Sequence, residues 1–411
     1  MSPAISSMQP ISRPPLEGKS IVLGVTGSIA AYKAADIASK LVQAGAFVDV
    51  IMTTSAMEFV GTTTFEALTH RPVTTSLWDA NSELRIDHVA LALHADCVLI
   101  APATANTLAK LAMGITDDPL TATVLATEAA VIVAPAMDAD MFASPPTRRN
   151  VEMLVGDGVL VAGPDSGRFA SGLTGKGRLV DTATLIGLVR QAVGRHGDYR
   201  GRHVIVSAGG TRQPIDPVRY ISNRSTGKMG YAIAEAARDR GAIVTLVSAS
   251  SLPDPAGVTV VKASTVEEMR DAIVLKSSDA DLLIMAAAIS DFTPANVSDR
   301  KIKKQGSDEM TLDLEKVEDF MPLAHGRNLV KVAFAAETND LEMNARAKAA
   351  TKGVAFVVAN DVSEPGSGFG TDTNRVTFVD AEGIAEQQPM MDKLDVGHAI
   401  LDRALSLLSD R

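Results

Sequence analysis

Short apolar segments alternate with longer amphipathic ones along most of the chain. In the first half, residues 30–44 and 106–113 have the spacing of helices. Five apolar segments have the length and composition of buried strands: Ser20–Thr26, Phe47–Thr53, Asp96–Ala101, Ala130–Ala134 and Val159–Ala162. Because strands that alternate with helices usually pair in parallel, this order predicts a parallel sheet with helices on both faces.

The same pattern begins again in the second half. The predicted strands are Val204–Ser207, Val244–Ser248, Leu282–Ala286, Val330–Ala335 and Val354–Ala359, and the predicted helices are Tyr231–Arg240, Val266–Lys276 and Leu341–Lys352. The two halves share this architecture but not their motifs, so they are not repeats of one site. The chain is therefore predicted to have an α/β fold with two different Rossmann-like parallel-sheet domains.

Two segments without this pattern divide the chain. Residues 1–17 are rich in Ser and Pro and lack the basic region and apolar block of a signal peptide, which predicts a disordered leader. The polar, Gly-rich segment from Gly194 to Gly201 predicts a linker. We therefore expect one domain over residues 18–194, a linker over 195–201, and a second domain over 202–411.

Composition narrows the functional classes. The chain has 411 residues, 46% of them hydrophobic, and no apolar run approaches the roughly 20 residues of a membrane span. Cys97 is the only cysteine, so an intramolecular disulfide and a cysteine-based metal cluster are excluded. The net charge of −10 argues against general nucleic-acid binding. These features predict a cytoplasmic enzyme that binds neither membranes nor nucleic acid.

The first strand runs into a glycine turn that opens a helix. Gly27 and Ser28 stand in this turn, where free N–H groups and the helix dipole favour a phosphate, although a tight turn alone would need the same residues. The second strand ends in Thr53-Thr54-Ser55, without the acid that holds a dinucleotide ribose, and Asp49 lies inside the strand. This pattern favours a phosphate-terminated mononucleotide over NAD.

Small residues and prolines follow two further strands of the first half, at 101–107 and 134–141. They leave room for a flat ring at the edge where open parallel sheets bind ligands. The motifs Gly-Ser-Ile-Ala-Ala-Tyr-Lys, Thr-x-Ser-Ala, Ala-Pro-Ala-Thr and Pro-Ala-Met-x-x-x-Met begin at residues 27, 53, 101 and 135. Together they resemble the FMN-binding cysteine decarboxylase family, over about residues 18–190. The resemblance implies an FMN site formed by Gly27, Ser28, Ile29, Thr53, Ser55, Ala101, Ala103, Thr104, Thr107 and Met137.

Three positions bear on catalysis in this domain. His88 alone would be a capping or surface residue, but with Leu91 and Ala92 it matches the family's catalytic His-x-x-Leu-Ala context. The Gly-rich, cationic segment 163–178 is suited to closing over an anionic substrate, or is a surface excursion. Relatives often have cysteine where this chain has Ser171 and asparagine where it has Asp138. Which residue donates the proton in the last step of the decarboxylation is therefore open. Asp138 is favoured over Ser171, because a serine hydroxyl is a weak acid.

The second half carries a different polar turn, residues 207–230. Its Gly227-Lys228 pair does not make a P-loop, since Ser222 replaces the first glycine and Met229 replaces the magnesium ligand. The turn still delivers residues 225–227 to a helix start, where an anion is favoured. The lysines further along could neutralise a triphosphate, although each alone is typical of a solvated surface.

A second resemblance rests on longer motifs. They are Gly-Gly-Thr-Arg-x-Pro-Ile-Asp-Pro-Val-Arg-x-Ile-Ser-Asn from residue 209, Lys-Ile-Lys-Lys from 301, Phe-Ala-Ala-Glu-Thr from 334 and Ala-Asn-Asp from 359. These resemble phosphopantothenate–cysteine ligases over about residues 200–400. The resemblance implies activation of a carboxylate by CTP through an acyl-cytidylate, with Asn223 and Arg219 at the carboxylate and Lys301 catalytic. It implies CTP contacts from Met285, Ala286, Ala287, Asp291, Lys301, Phe334, Lys348 and Lys352, with Asp291 also a candidate Mg²⁺ ligand.

Together the two resemblances imply a bifunctional enzyme of coenzyme A biosynthesis. It would join cysteine to 4′-phosphopantothenate and decarboxylate the product to 4′-phosphopantetheine, with FMN and Mg²⁺ as cofactors and CTP as a substrate. We expect trimer-based assembly of the first domain and dimers of the second. Two rival interpretations are a flavin-binding regulatory protein, which would need neither His88 nor Lys301, and a nicotinamide oxidoreductase, which the missing strand-end acid disfavours.

Overall fold

The structure is a computed structural model that describes residues 16–78, 87–168, 174–303, 310–337, 340–364 and 366–409. The chain divides into two compact units: the N-terminal unit ends at Gly194 and the C-terminal unit begins at Arg195. Within the described ranges, every helix is too short or too polar to cross a lipid bilayer.

The N-terminal unit is built on a six-stranded sheet in which all neighbours are parallel, in the order β3-β2-β1-β4-β5-β6. The strands are β1 (Ser20–Val25), β2 (Phe47–Met52), β3 (Val73–Thr74), β4 (Cys97–Ala103), β5 (Ala130–Pro135) and β6 (Leu160–Val161). A hairpin of β7 (Asp165–Arg168) and β8 (Thr174–Arg178) follows. The helices are α1 (Lys33–Gln43), α2 (Thr54–Met57), α3 (Thr62–Thr69), α4 (Asp87–His94), α5 (Ala105–Met113), α6 (Pro119–Ala126), α7 (Ala139–Ala143), α8 (Pro145–Gly156) and α9 (Thr182–Gly194), with a 3₁₀ turn at Ile29–Tyr32.

Helices cover both faces of this sheet, as the alternation of segments predicted. Leu23 of β1 packs in one core with side chains of α1 and α9, including Ile37 and Leu185. Val22, the preceding residue, points to the opposite core, where Leu108 of α5 is also buried. A parallel sheet that is buried on both faces requires strands that are apolar throughout, which explains the continuous apolar runs in the sequence.

The C-terminal unit has an eight-stranded sheet in the order β13-β12-β9-β14-β17-β18-β20-β21. Its strands are β9 (His203–Ala208), β12 (Ile243–Ser248), β13 (Thr259–Lys262), β14 (Leu282–Met285), β17 (Val330–Glu337), β18 (Phe356–Asp361), β20 (Thr377–Asp380) and β21 (Ala385–Gln387). Three small antiparallel pairs join β10 (Arg212–Pro214) with β11 (Tyr220–Ser222), β15 (Phe292–Pro294) with β16 (Leu314–Lys316), and β19 (Thr373–Asn374) with β22 (Met391–Asp392). The helices are α10 (Lys228–Asp239), α11 (Val266–Ser277), α12 (Leu341–Lys352) and α13 (Lys393–Ser409), with a 3₁₀ turn at Met321–Leu323.

The first six strands in this order, from β13 to β18, are parallel to one another. Strand β20 then pairs antiparallel with β18, and β21 pairs antiparallel with β20. The antiparallel extension was not predicted. Its strands are only three or four residues long, and such short segments have no distinctive periodicity. Helices α10 and α13 pack on one face of the sheet through Ile233 and Ile400, and α11 and α12 pack on the other through Met269 and Ala345.

Two predicted boundaries differ from the observed packing. Leu16, assigned to the leader, is fully buried in the core of the N-terminal unit, while residues 1–15 lie outside the described residues. Tyr199, assigned to the linker, is also fully buried, and its hydroxyl donates to the carbonyl oxygen of Leu401 at 2.6 Å. Burial raises the pKa of Tyr199. Arg240 lies 5.0 Å from the centre of its ring. One aromatic residue thus anchors a segment whose polar composition suggested a free linker.

Candidate active sites

A cavity of about 820 Å³ opens at the carboxyl-terminal edge of the sheet in the N-terminal unit. This is the edge where open parallel sheets bind ligands. The loops after β1, β2, β4 and β5 form the cavity, and the β7–β8 hairpin borders it. Its lining includes Gly27, Ser28, Ile29, Tyr32, Thr53, Ser55, Thr104, Asn106, Thr107, Lys110, Met137, Asp138, Met141, Arg168 and Arg178.

Hydrogen bonds between loops hold the strand ends in register. The buried hydroxyl of Thr26 donates to the carbonyl oxygen of Pro102 at 2.7 Å and accepts from the backbone N–H of Thr104 at 3.0 Å. Ser28 accepts from the N–H of Ala30 at 3.3 Å and donates to the carbonyl oxygen of Ala136 at 3.2 Å. The loops after β1, β4 and β5 are therefore fixed to one another before any ligand binds.

Three threonine side chains present polar atoms at this edge. The hydroxyl oxygen of Thr53 is buried and has no hydrogen-bond partner among the described residues. A buried polar atom without a partner costs free energy, so a ligand that bonds to it would be stabilised. Thr104 caps α5, and its hydroxyl lies 3.1 Å from that of Thr107. A polyhydroxylated or phosphorylated ligand matches this set of groups.

Lys110 forms two ion pairs at this cavity. Its ammonium lies 2.7 Å from a carboxylate oxygen of Asp117 and 3.1 Å from one of Asp118. The hydrogen bond to Asp117 is the main cause of a raised pKa of Lys110, which burial only partly opposes. Sequence reasoning did not predict this trio, because surface lysines and aspartates of this kind are common.

Asp138 lines the cavity beside the β7–β8 hairpin. Its carboxylate accepts from the backbone N–H of Asp140 at 3.1 Å and caps α7. The adjacent N–H of Met137 donates to the carbonyl oxygen of Gly177 at 3.0 Å, which ties the hairpin to the loop after β5. The hairpin in turn supplies Arg168 and Arg178 to the lining.

Three of the predicted residues do not line this cavity, and a fourth lies outside the described residues. Ala101 and Ala103 lie within β4 and are fully buried, so their contribution is the packing of the strand. His88 is half-buried in the first turn of α4 and is absent from the lining formed by its own chain. Ser171 lies outside the described residues. The other predicted flavin contacts, and Asp138, are all brought together around the cavity.

A second cavity, of about 1080 Å³, lies at the carboxyl-terminal edge of the sheet in the C-terminal unit. The loop after β14, the ends of β17 and β18 and the start of α10 form its walls. Its lining includes Asn223, Ser225, Thr226, Gly227, Lys228, Met285, Ala286, Ala287, Asp291, Asp319, Phe334, Lys348, Lys352, Asn360, Phe369, Asn374 and Lys393.

The start of α10 requires a glycine. Gly227 has φ +89°, and a β-carbon there would stand 2.7 Å from the β-carbon of Ser250. The Ser250 hydroxyl donates to the carbonyl oxygen of Thr226 at 2.7 Å. This packing brings the positive end of the helix dipole to the cavity, which favours an anion there.

Lys348 and Lys352 lie on successive turns of α12. The ammonium of Lys348 donates to the carbonyl oxygen of Phe334 at 2.6 Å, and that of Lys352 lies 3.3 Å from a carboxylate oxygen of Asp319. Burial lowers the pKa of Lys348, and the charge of Lys352 lowers it further. A polyanionic ligand would offset both effects.

Arg219 and Lys301 lie outside the lining of this cavity. Arg219 donates to the carboxylate of Asp216 at 2.6 Å and to the carbonyl oxygen of Ile302 at 2.7 Å, and the N–H of Ile302 donates back to Asp216 at 3.2 Å. Burial alone would raise the pKa of Asp216, but the Arg219 side chain and three backbone N–H groups hold it well below its usual range. This bonding fixes the chain at residue 302, beside the exposed Lys301, while residues 304–309 lie outside the described residues.

Comparisons with known proteins agree across the whole chain. A family model described as Flavoprotein matches residues 11–194, and one described as DNA/pantothenate metabolism flavoprotein C-terminal domain matches residues 199–408. The coenzyme A biosynthesis bifunctional protein CoaBC of Bacillus subtilis is 43% identical over 398 residues, which cover 95% of this chain and 98% of that protein. The chain belongs to the CoaBC family.

A second relative agrees with this assignment. The CoaBC protein of Escherichia coli is 40% identical over 403 residues, which cover 96% of this chain and 99% of that protein. A solved C-terminal domain of a CoaBC protein is 31% identical, with a TM-score of 0.44, and spans 52% of this chain and 100% of its own. From the family models and the two full-length relatives, this chain is a bifunctional enzyme of coenzyme A biosynthesis, with a ligase and a decarboxylase activity.

Proposed function

We propose that the C-terminal unit joins cysteine to 4′-phosphopantothenate with CTP, and that the N-terminal unit decarboxylates the product with FMN. The observation that carries this proposal is the pair of chemically different cavities. One is lined by several hydroxyl groups and small residues, with Lys110 paired to aspartates and two arginines from the hairpin, and the other by Lys348, Lys352 and Lys393 and a helix start. The first is suited to a ring with a phosphorylated chain, and the second to a triphosphate.

The first cavity fits FMN in its polar groups. We propose that the unpartnered hydroxyl of Thr53, together with Ser28 and Ser55, holds the phosphate and ribityl chain, and that Thr104, Thr107 and Met137 border the ring. Bound FMN would supply a two-electron acceptor that takes electrons from the substrate thiol and later returns them. The protein's own contribution is to orient the substrate and to move protons.

We propose that a trimer completes the decarboxylase site. His88 does not line the cavity of its own chain, although it occupies the family's catalytic position. The apolar side chains of Ile29 and Tyr32 are 64% and 62% exposed beside the cavity, and Leu93 on α4 is 76% exposed. Joining these surfaces between copies would bury them and bring His88 of one copy to the cavity of the next.

The last proton of the decarboxylase reaction needs a donor. A serine at position 171 is a much weaker acid than the thiol of a cysteine. We propose that the carboxyl group of Asp138, which lines the cavity beside Met137, supplies this proton to the product carbon chain. The β7–β8 hairpin would hold the substrate carboxylate or phosphate with Arg168 and Arg178.

In the ligase reaction, a carboxylate oxygen of 4′-phosphopantothenate attacks the α-phosphorus of CTP and pyrophosphate leaves. The cysteine amine then displaces CMP from the acyl carbon. We propose that Lys348 and Lys352 neutralise the phosphates, that Phe334 and residues 285–287 border the nucleoside, and that Lys301 stabilises the transferring phosphate.

The proposal also assigns residues to the substrate carboxylate and to the metal ion. Arg219 and Asn223 would direct the carboxylate. In the described part of the chain, no group of three or more His, Cys, Asp or Glu residues could hold a metal ion. We therefore propose that Mg²⁺ arrives with the nucleotide and meets the single carboxylate of Asp291, since Mg²⁺ commonly uses one or two carboxylates together with substrate phosphates.

We propose that the C-terminal unit dimerises through its small hairpins. Tyr220 on β11, Phe292 on β15 and Leu314 on β16 are 53%, 50% and 45% exposed. The hairpins adjoin each other, since the N–H of Ser298 donates to the carbonyl oxygen of Ile215 at 3.0 Å. Their apolar side chains form one surface that a second copy would bury. A cytoplasmic location, predicted from the sequence, belongs to the same proposal.

One assay of the purified full-length protein tests the proposal. The protein is incubated with Mg²⁺, cysteine, 4′-phosphopantothenate and either CTP, ATP or UTP, while pyrophosphate and CO₂ are followed and the absorbance spectrum is recorded. We expect a flavin spectrum, pyrophosphate release that depends on cytidine nucleotide, and one CO₂ for each phosphopantothenoylcysteine consumed. Equal rates with all three nucleotides would contradict the CTP assignment, and a protein without flavin absorbance would contradict the FMN site.

A further inference from the structure

A glycine-rich loop of residues 366–372 borders the second cavity, and Gly368 and Phe369 are part of the lining. Side chains at the start of α10 hold this loop. The exposed hydroxyl of Thr226 donates to the carbonyl oxygen of Phe369 at 2.7 Å, and the ammonium of Lys228 donates to that of Gly370 at 3.1 Å. The loop is thus attached to the same helix start that faces the cavity.

Lys393, the first residue of α13, holds the loop from the other side. Its ammonium donates to the carbonyl oxygens of Gly368 at 2.9 Å and of Thr371 at 2.5 Å. Four consecutive carbonyl groups, 368 to 371, are therefore held by side chains from two helix starts. A loop with two positive-φ glycines, Gly366 and Gly368, would otherwise have wide conformational freedom.

The environment of Lys393 is unusual for an ammonium group. The residue is only 5% exposed, lines the cavity, and forms no ion pair with a described carboxylate. Burial and, to a smaller extent, the charge of Lys228 lower the pKa of Lys393 to about 8, while Asp372 opposes the shift. A buried cation that has only neutral carbonyl partners gains stability when an anion enters the adjoining space.

We propose that Lys393 is a positioning residue of the ligase: it holds the 366–372 loop in place against the phosphate end of the nucleotide, at the start of α10. This inference rests on the proposed function, and deepens it by adding the 366–372 loop to Lys348 and Lys352 as a part of the cavity that receives the phosphates. Lys393 acts through the loop, so its loss should weaken nucleotide binding and leave the chemistry at the substrate carboxylate unchanged.

The test is a steady-state comparison of full-length variants. Lys393→Met removes the donor, Lys393→Arg retains the charge, and Lys276→Met is the control, because Lys276 is an exposed lysine of α11 away from the cavity. We expect Lys393→Met to raise KM for CTP about ten- to a hundredfold, because a hydrogen bond to a charged group usually contributes about that factor. We expect kcat and the KM for cysteine to stay within about twofold, and Lys393→Arg to recover part of the loss.

A second pair of variants keeps the proposal testable if Lys393→Met does not fold. Thr226→Val removes another attachment of the loop, at an exposed position, and Thr226→Ser retains the hydroxyl. If both residues act through one loop, the effects of Thr226→Val and Lys393→Gln on KM for CTP will be non-additive. Additive effects would show that Lys393 does not act through the loop.

A binding measurement across pH gives an independent readout. Equilibrium binding of Mg·CTP is measured from pH 7 to 9, where the phosphates of CTP do not change charge. We expect wild-type affinity to fall as the pH rises through about 8, because Lys393 loses its proton there. Lys228 and Asp372 face Lys393, and Lys348 in the same cavity also has a pKa lowered by burial. Lys393→Met should therefore weaken the dependence and leave the part that Lys348 contributes.

The outcomes separate this inference from the proposed function. A wild-type protein that releases no pyrophosphate with CTP contradicts the proposed ligase itself. A wild-type protein that is active with CTP, together with a folded Lys393→Met variant whose KM for CTP and pH profile are unchanged, contradicts only the role of Lys393. A Lys393→Met protein whose kcat and thermal stability fall while its nucleotide affinity is unchanged would also contradict the role of Lys393.

Discussion

A β-carbon on residue 27 would stand 2.3 Å from the β-carbon of Ser55, so the loops after β1 and β2 touch at a point where only glycine fits. This contact brings together the two loops that carry Ser28 and Thr53. The shape of the proposed flavin cavity therefore depends on the absence of a β-carbon at Gly27.

We therefore expect Gly27→Ala to displace the loop after β2 and to abolish flavin binding. The cost of such overpacking is about 1–3 kcal/mol. The flavin absorbance of the purified variant and its thermal unfolding midpoint measure the effect. Gly61→Ala is the matched control, because a β-carbon at Gly61 meets nothing within 4 Å and its φ is −76°. A Gly27→Ala variant that binds flavin normally would contradict the proposed site.

His88→Asn should keep the flavin and stop CO₂ release. General acid–base groups contribute about 10²–10⁴-fold to a rate, and the proposed flavin contacts lie on other loops. CO₂ release from supplied phosphopantothenoylcysteine and the absorbance spectrum are measured together. His94→Asn, at the exposed end of the same helix, is the control. A colourless His88→Asn protein would show that the residue supports the fold.

Lys301→Ala should abolish ligation and spare decarboxylation. Loss of one preorganised cation at a transferring phosphate costs about 10²–10³-fold. Pyrophosphate release with CTP measures the first activity, and CO₂ release from phosphopantothenoylcysteine measures the second. Lys276→Ala serves as the surface-charge control. Normal pyrophosphate release from Lys301→Ala would remove Lys301 from the mechanism.

Asp138→Asn should prevent formation of the saturated product, because an amide cannot supply the final proton. We expect mass spectrometry to detect a product two mass units lighter than 4′-phosphopantetheine, while Ser171→Ala forms the normal product. The wild-type protein is run in parallel. An unaltered yield of 4′-phosphopantetheine from Asp138→Asn would exclude the carboxyl group as the required donor.

The sequence predicts the central parallel strands closely, and the physical reason is their burial. Strand β12 was expected at residues 244–248 and is observed at Ile243–Ser248, because a strand covered on both faces must be apolar along its length. The antiparallel strand β20 and helix α13 were not predicted. Each depends on contacts with distant elements, such as the packing of Val396 and Ile400 against the sheet.

The residues at the two cavities also divide into those that the sequence predicts and those that only the tertiary structure reveals. Motif residues such as Ser28 and Thr53 were predictable, since they follow apolar strands directly and a parallel sheet brings those ends together. Lys393 was not, because a lone lysine at a helix start is usually solvated, and only tertiary structure places it beside the loop after β18. Ala101 and Ala103 were expected at the ligand; both are buried inside β4 and outside the cavity lining, and their contact with a ligand stays a prediction.

The short strand β21 gives the C-terminal sheet a protected end. A long, regular edge strand exposes unpaired N–H and C=O groups, and another chain can pair with them. Strand β21 has only three residues, all exposed, and Glu386 at its centre is paired with Arg403 at 2.8 Å. An incoming strand would find few backbone groups and a charged side chain. The antiparallel extension thereby protects a largely parallel sheet against edge-to-edge aggregation.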